Sequence, residues 1–362
     1  MPIRIFPYTE REVAAARAFN QRMQERNAAT EFFLPERAPE PPAHSQAVSA
    51  VYYLALDEEF CRGGLVLTDY EAWLAGKSVT AVNCIAPLSE GIVDPKHSFV
   101  AMQIVKAMQQ RSPYSFSVGM GSVNNPYPRL LRAAGWTILP VPFFFRVCKP
   151  RRVLRELHIL QSTPLRRALS KMAGITGLGT LTFGALQARS KPKSLTVETP
   201  VQWGDWVDTL WHEYRDTCAF AVNRDSRNLR EMYPASEARL LRFQLTRDGR
   251  SVAWAVALHT AMKDDRYFGS LRVATILDCV SIAREMTASV AAVAGALARD
   301  GADLVISNQS HSAWQAAFRR AGFLSGPSNF LIGFSKAIAN EISDRGRAIH
   351  ITRGDGDGRM HL

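Results

Sequence analysis

The sequence has no CxxC pair. Its five cysteines, Cys61, Cys84, Cys148, Cys218 and Cys279, are scattered and odd in number, which argues against structural zinc and against a disulfide framework. Reduced thiols of a cytoplasmic protein are the expectation, and no metal site is expected. No run reaches the roughly 18 uninterrupted apolar residues of a membrane span. The opening MPIRIFPYTEREVAAARAF lacks the apolar core of a signal peptide. The tail Gly354-Asp355-Gly356-Asp357-Gly358 has too little chain after it for the glutamate that closes an EF-hand loop, so a turn-rich terminus is expected there and not a calcium site.

Acidic surplus is also missing, but only locally. Residues 1–145 hold 13 basic and 13 acidic side chains, and residues 194–362 hold 20 and 19. The segment 146–193 holds 11 basic residues against one acid, Glu156, and so supplies almost all of the net charge of +11. A basic pI that belongs to one connecting segment argues against a nucleic-acid-binding protein. That segment, with Arg151, Arg152, Arg155, Arg166, Arg167, Lys171, Arg189, Lys191 and Lys193 around an uncharged stretch, reads as an interdomain linker. Anionic lipid is the other partner it suits, as a peripheral contact at the inner membrane face through 151–193.

What is present is an α/β pattern in two halves. At 362 residues two domains are the default. Residues 1–150 read as a strand, a helix opened by Thr9 with Glu12 three positions on, three strands (Ala50–Leu56, Cys61–Thr68, Val79–Pro87), a helix over Phe99–Met108, and strands at Phe116–Val118 and Pro142–Val147 around a short helix. Residues 151–195 form the linker. Residues 196–340 read as a helix over Trp203–Arg215 whose aromatic stripe is core, strands at Arg239–Leu245, Ser251–Thr260 and Leu271–Val280, a helix over Thr287–Arg299, and a last strand–helix–strand unit. Residues 341–362 are a tail. Arg247-Asp248-Gly249-Arg250 marks a hairpin.

The last unit, ADLVISNQSHSAWQAAFRRAGFLSGPSNFLIGF, has a counterpart upstream: AFRRAGF answers LLRAAGW, each after a strand, a polar turn and a helix, and each before an apolar run. Asn83-Cys84-Ile85 aligns with Asp278-Cys279-Val280 at an offset of 195 and Gly135 with Gly322 at 187. The halves read as a tandem duplication.

The element order, with Asn308 and Phe318-Arg-Arg-Ala-Gly-Phe323, resembles the GNAT N-acetyltransferase superfamily in both halves. LSEGIVDP, GMGSVNNPYPRLLRAAGW, VPFFFRV and IHITRGDGDG are similar to a bacterial two-domain group of that superfamily, associated with polysaccharide or envelope gene neighbourhoods. The resemblance implies two domains, each a mixed central sheet flanked by helices, and transfer of an acyl group from acetyl-CoA or another acyl-CoA to an amine. It implies a pyrophosphate loop at a helix N-terminus. Arg284-Glu285-Met286-Thr287-Ala288-Ser289 stands there, making Arg284, Thr287, Ala288 and Ser289, with Asn308, the expected acyl-CoA-binding residues. Thr287 and Ser289 occupy positions where the family has small glycine-type residues. The first-half counterpart, Asp94–Ala101, fits less well, with Pro95 and Phe99 in it. The resemblance places a base at Asp278, with Glu90 as the first-half counterpart. Where the family has a proton-donating tyrosine, this chain has Phe318 and Leu131. Ser310, His311 and Tyr127 are the nearby groups that could donate, and a histidine of ordinary pKa could serve. Cys84 and Cys279 read as packing residues.

Three functions remain open on these grounds. One is an acyltransferase acting on a small-molecule or glycan amine acceptor. The second is a non-catalytic tandem scaffold or regulator. The third is an aminoacyl transferase of the peptidoglycan-bridge type, which also uses two such domains. Neither the acceptor nor the oligomeric state follows from the sequence.

Overall fold

The computed structural model describes residues 3–29, 33–39, 48–156, 195–200, 202–265, 267–343 and 348–356. Most of the basic segment, and with it the membrane-contact expectation, lies outside them. Among the described residues no helix is long and apolar enough to cross a membrane.

In chain order the first half gives β1 (Arg4–Pro7), α1 (Val13–Glu25), β2 (Val48–Asp57), β3 (Phe60–Leu74), β4 (Lys77–Ser89), α2 (Phe99–Arg111), β5 (Ser115–Val118), α3 (Pro126–Ala133), β6 (Thr137–Pro140), β7 (Phe143–Val147) and α4 (Pro150–Glu156). The second gives β8 (Thr196–Glu198), α5 (Asp205–Arg215), β9 (Cys218–Val222), α6 (Ser226–Met232), β10 (Leu240–Arg247), β11 (Arg250–Ala261), β12 (Arg272–Ser281), α7 (Met286–Arg299), β13 (Leu304–Asn308), α8 (Ser312–Arg320), β14 (Leu324–Gly326), β15 (Leu331–Phe334), α9 (Lys336–Ile342) and β16 (Ala348–His350).

The chain forms two compact units: Met1–Leu139 with Leu331–Gly346, and Pro140–Phe330 with Arg347–Leu362. Set beside the sequence segments 1–150 and 196–340, the second unit also takes in the stretch read as linker and residues from 347 on, and one further difference has a clear cause. The apolar strand that ends each half belongs to the other unit's sheet. β15 pairs antiparallel with β5, Ile332 opposite Val118, and β7 pairs antiparallel with β13, Leu304 opposite Val147. A run such as FFFRV satisfies any partner that offers an open strand edge and an apolar face, so periodicity alone cannot assign it.

The first unit's sheet runs β1-β2-β3-β4-β5-β15-β6, and α2 covers one face with Val100, Ile104, Val105 and Met108 against Leu65, Leu67, Val82 and Cys84. α1 covers another part of it with Ala16, Phe19 and Met23. The second unit's sheet runs β14-β7-β13-β12-β11-β10-β8. Here β12 is buried along nearly its whole length, as a strand covered on both faces must be. The β10–β11 hairpin turns on Asp248 and Gly249, both at positive φ (49° and 77°), the two-residue form the sequence expects.

The described part of the tail, 348–356, is built into the fold. β16 pairs in parallel with β9. The short turn Arg353–Asp355 that follows is capped by Thr352, and Gly354 and Asp355 are buried.

Candidate functional site

The second unit's central strand ends at a pocket. β12 and the parallel β13 stay in register for four pairs, the last being Ile276 opposite Ser307. β12 then continues to Ser281 without β13, so the two strands part. Beyond Ser281 the chain makes a turn, Ala283–Glu285, and enters α7. A cavity of about 350 Å³ opens there, walled by Ser281, Ile282, Ala283, Arg284 and Met286 on one side and by Glu213, Tyr214 and Thr217 of the α5 end on the other. Arg284 is exposed. Its neighbour Glu285 is buried and ion-paired with Arg247 at 2.7 Å, so the acid at the helix start is already neutralised. Positive charge and unpaired N–H groups at a helix start favour an anion.

Behind Tyr214 lies a buried polar cluster. Arg224, fully buried, donates from Nε to Asp278 at 3.0 Å and from Nη2 to both Asp355 oxygens at 2.8 Å. Tyr233 donates to Asp278 at 3.0 Å, and the Cys279 N–H donates to it at 2.9 Å. His350 Nε2 lies 3.3 Å from Asp278, and its Nδ1 lies 2.8 Å from the Tyr214 hydroxyl, which accepts from Trp314 Nε1 at 3.0 Å. One guanidinium therefore serves two carboxylates. Burial alone would raise Asp278, but Arg224 and His350 hold it below the usual carboxylate range. Burial and the nearby Asp278 charge push Asp355 up to about 6, against the pull of Arg224. Burial, with Arg224 close by, lowers His350 to about 3, so it is a neutral hydrogen-bonding group.

The expected site residues separate on this framework. Arg284 lines the pocket. Thr287 is half-buried and is not in the pocket wall, and Ala288 is buried. Ser289 is also buried and donates to the Glu285 carbonyl at 2.8 Å. The helix turns positions 288 and 289 toward the core, so neither side chain is available to phosphate. Asn308 is buried, donating to the Val141 carbonyl at 3.2 Å and accepting from Arg353 at 2.8 Å; it ties chain segments together and does not face the pocket. Ser310 donates to the Ile349 carbonyl and accepts from the Ile351 N–H, each at 2.7 Å, so its hydroxyl is fully engaged. His311 caps α8 through Nδ1, and burial lowers it to about 4. The expected near-neutral acid is instead a neutral cap. Asp278 sits at the centre of the cluster, out of solvent.

The first-unit counterparts are structural too. Glu90 is held by Arg22 at 2.9 Å and Arg62 at 3.0 Å, which outweigh burial and lower its pKa. Burial pushes the Tyr127 hydroxyl well above its usual range and Cys84 to about 12. Cys279 is raised well above its usual range by burial as well, so both cysteines are thiols and not nucleophiles. Phe318 is fully buried, with ring centroids 5.6 Å from Phe144 and 4.8 Å from Phe323. Among the described residues no cluster of potential metal ligands occurs.

Sequence reasoning did not find Tyr214, Arg224, Tyr233, His350 or Asp355. Arg224 lies in a plain loop, AVNRDS, and Asp355 lies in a glycine-rich tail that reads as a terminus. Only the unusual Gly354 hints at packing, since a methyl group there would collide with the Tyr233 hydroxyl.

No protein-family model matches the chain, and no curated protein matches it. Solved structures do. Saccharomyces cerevisiae N-myristoyltransferase with bound myristoyl-CoA and inhibitors aligns with a TM-score of 0.52 at 11% identity, covering 92% of this chain and 80% of that one. A conserved Enterococcus faecalis V583 protein, described as a probable N-acyltransferase, aligns with a TM-score of 0.51 at 10% identity, covering 92% and 72%. A second N-myristoyltransferase structure, with bound myristoyl-CoA, gives 0.50 at 11%, covering 78% and 68%. The fold, two mixed sheets flanked by helices, is shared with these N-acyltransferase structures. At these identities the likeness establishes the fold and nothing further.

Proposed function

We propose that this chain is an acyl-CoA-dependent N-acyltransferase whose second unit carries the donor site. The observation behind the reading is the pocket at the start of α7, beside the parting of β12 and β13, with Arg284 on its wall in an acyltransferase fold. The donor's pyrophosphate would lie at Arg284 and the first N–H groups of α7, and the pantetheine arm would run toward the parted strands. An amine would attack the thioester carbonyl carbon: the C–N bond forms, the C–S bond breaks, and the amine's proton ends on the departing sulfur. Asp278 is the carboxylate at the end of that path. A small-molecule or glycan amine is the acceptor class this reading takes, with envelope or polysaccharide metabolism as its setting. The basic segment 151–193 would hold the protein to an anionic membrane face.

A specific observation favours a second reading, a non-catalytic scaffold. Between the β11–β12 face and the helices α7 and α8, free space is reduced to about 10 Å³ among Trp254, Cys279, Trp314 and Phe318. Thermal melting with acetyl-CoA and with longer acyl-CoAs separates the two. The acyltransferase reading expects a rise in melting temperature that Arg284→Glu abolishes. No rise with any acyl-CoA would carry the scaffold reading.

A further inference from the structure

Toward α7 and α8, the β11–β12 face beside the parting is closed by Trp254, Trp314 and Phe318. Beside the parted ends of β12 and β13 lie residues 350–355. Thr352 forms an antiparallel bridge with Gln309, just past the end of β13. The Ser310 N–H donates to the Ile351 carbonyl at 3.2 Å, and the Ile351 N–H donates back to the Ser310 hydroxyl. On the β12 side, His350 Nε2 meets Asp278, and a methyl group added at Gly354 would lie 3.3 Å from the Asp278 Cβ. Residues 350–355 thus touch both strands where they diverge. His350 also meets the hydroxyl of Tyr214, a pocket residue.

We propose that His350–Asp355 is a built-in strap across the acyl-donor path, which must leave the gap between β12 and β13 before a thioester can reach Asp278. The inference rests on the acyltransferase reading above. With the strap in place, Asp278 is bonded to Arg224, Tyr233, His350 and the Cys279 N–H and presents no free face. With it out, the carboxylate loses His350, and the pocket extends past Tyr214 to Asp278. The anchorage suits a removable element better than a permanent one. β16 is three residues long and has one strand partner, β9. Ile351 is the strap's buried apolar anchor; the other attachments are polar, and they put two carboxylates on one guanidinium, a seat with uncompensated negative charge.

The test is hydrogen exchange, read by mass spectrometry on the full chain, with and without saturating acetyl-CoA and a long-chain acyl-CoA, alongside affinity measurements on Gly354→Ala. The extra methyl group collides with Tyr233 and lifts the strap. A donor that binds only the open state is weakened by the fraction that is closed. Acyl-CoA is therefore expected to speed exchange of the Ile349–Asp355 amides, and Gly354→Ala to tighten acyl-CoA binding by about tenfold or more. Thr352→Val, which removes the turn's hydroxyl cap, is the milder variant should Gly354→Ala fail to fold, and tighter binding is expected of it too. Acyl-CoA that binds while those amides stay equally protected, and that binds the variants no more tightly, overturns the strap and leaves the acyltransferase reading standing. If neither wild type nor variants bind acyl-CoA, both fall. Binding by a variant but not by wild type supports the strap.

Discussion

Arg224 is the residue whose loss should be felt most. It is fully buried, and its charge stands between Asp278 and Asp355. Arg224→Met keeps much of the side-chain length and leaves two buried carboxylates without their shared cation. Removing one partner of a buried ion pair costs about 3–5 kcal/mol, because the charge left behind is uncompensated. The second unit spans 140–330 and 347–362. For a body of that size each kcal/mol moves the melting temperature by about 2–4 °C, so a fall of about 6–20 °C is expected. Tryptophan fluorescence is the natural probe, because Trp203, Trp206, Trp211, Trp254 and Trp314 lie in this unit and only Trp73 and Trp136 in the other. Asp355→Asn should cost less, since Arg224 then keeps Asp278 as its partner. The double variant Arg224→Met, Asp355→Asn should be less destabilised than the sum of the two by more than about 1 kcal/mol, as groups in one network are. An Arg224→Met protein within about 1 kcal/mol of wild type, or strict additivity in the double variant, would refute the reading of this cluster as the anchor of the chain's end.

Acidification should destabilise the second unit. His311 and His350 stay neutral when folded, at about 4 and about 3 against 6.5, so the unfolded chain takes up protons that the folded one refuses, and stability falls as pH drops below about 6.5. Asp355 opposes this: folded, in contact with Arg224 and facing Asp278, it holds a proton up to about 6, a contribution present at pH 4 and lost as pH rises through 6. Near pH 5 the two histidines outweigh Asp355, so unfolding takes up protons there, and Asp355→Asn should steepen the pH dependence; denaturant titrations at stepped pH check this, and an unchanged slope in the variant would count against it. Phe318→Tyr puts a hydroxyl at a position closed by Phe144 and Phe323; it should lose about 1–3 kcal/mol by denaturation and gain no acyl-transfer rate, and a gain in rate would contradict the packing described. Trp314→Phe removes the donor to Tyr214 and should cost about 1 kcal/mol, read in the same denaturation assay.

Much of the fold was legible because its elements carry their own signals. The hairpin at Asp248-Gly249 needs positive φ twice and has the residues for it. α7 is a run of alanine and valine with a glycine, and β12 is a run without a charge from Val273 to Leu277. Strand ownership was not legible, because β7 and β15 are short apolar runs whose partners are chosen by edges more than a hundred residues away. The site was legible only in part. Arg284 stands just before α7, where a cation adds to the helix-start N–H groups in favouring an anion, and that is a local pattern. The Arg224, His350 and Asp355 grouping is assembled from a loop, a three-residue strand and a glycine-rich turn, none of which has a period. The misplacement of Asn308 and Ser310 has the same root. Their polar groups serve the chain's end, which lies some 40 residues downstream.

The two closures beside the parting of β12 and β13 bear on how any chemistry could occur here. Trp314 and Phe318 belong to the core that joins α8 to the sheet, and their removal would cost several kcal/mol each in lost burial and cavity. That side cannot open for a ligand without loosening the unit. The other side is held by hydrogen bonds, Ile351 and the Arg224–Asp355 pair; when Asp355 leaves, Arg224 keeps Asp278 as its partner, so no buried charge is left without one. Asp278 belongs to β12 and stays where it is whichever side yields. On the acyltransferase reading, a donor at the Arg284 pocket gains space past Tyr214, in the place of His350.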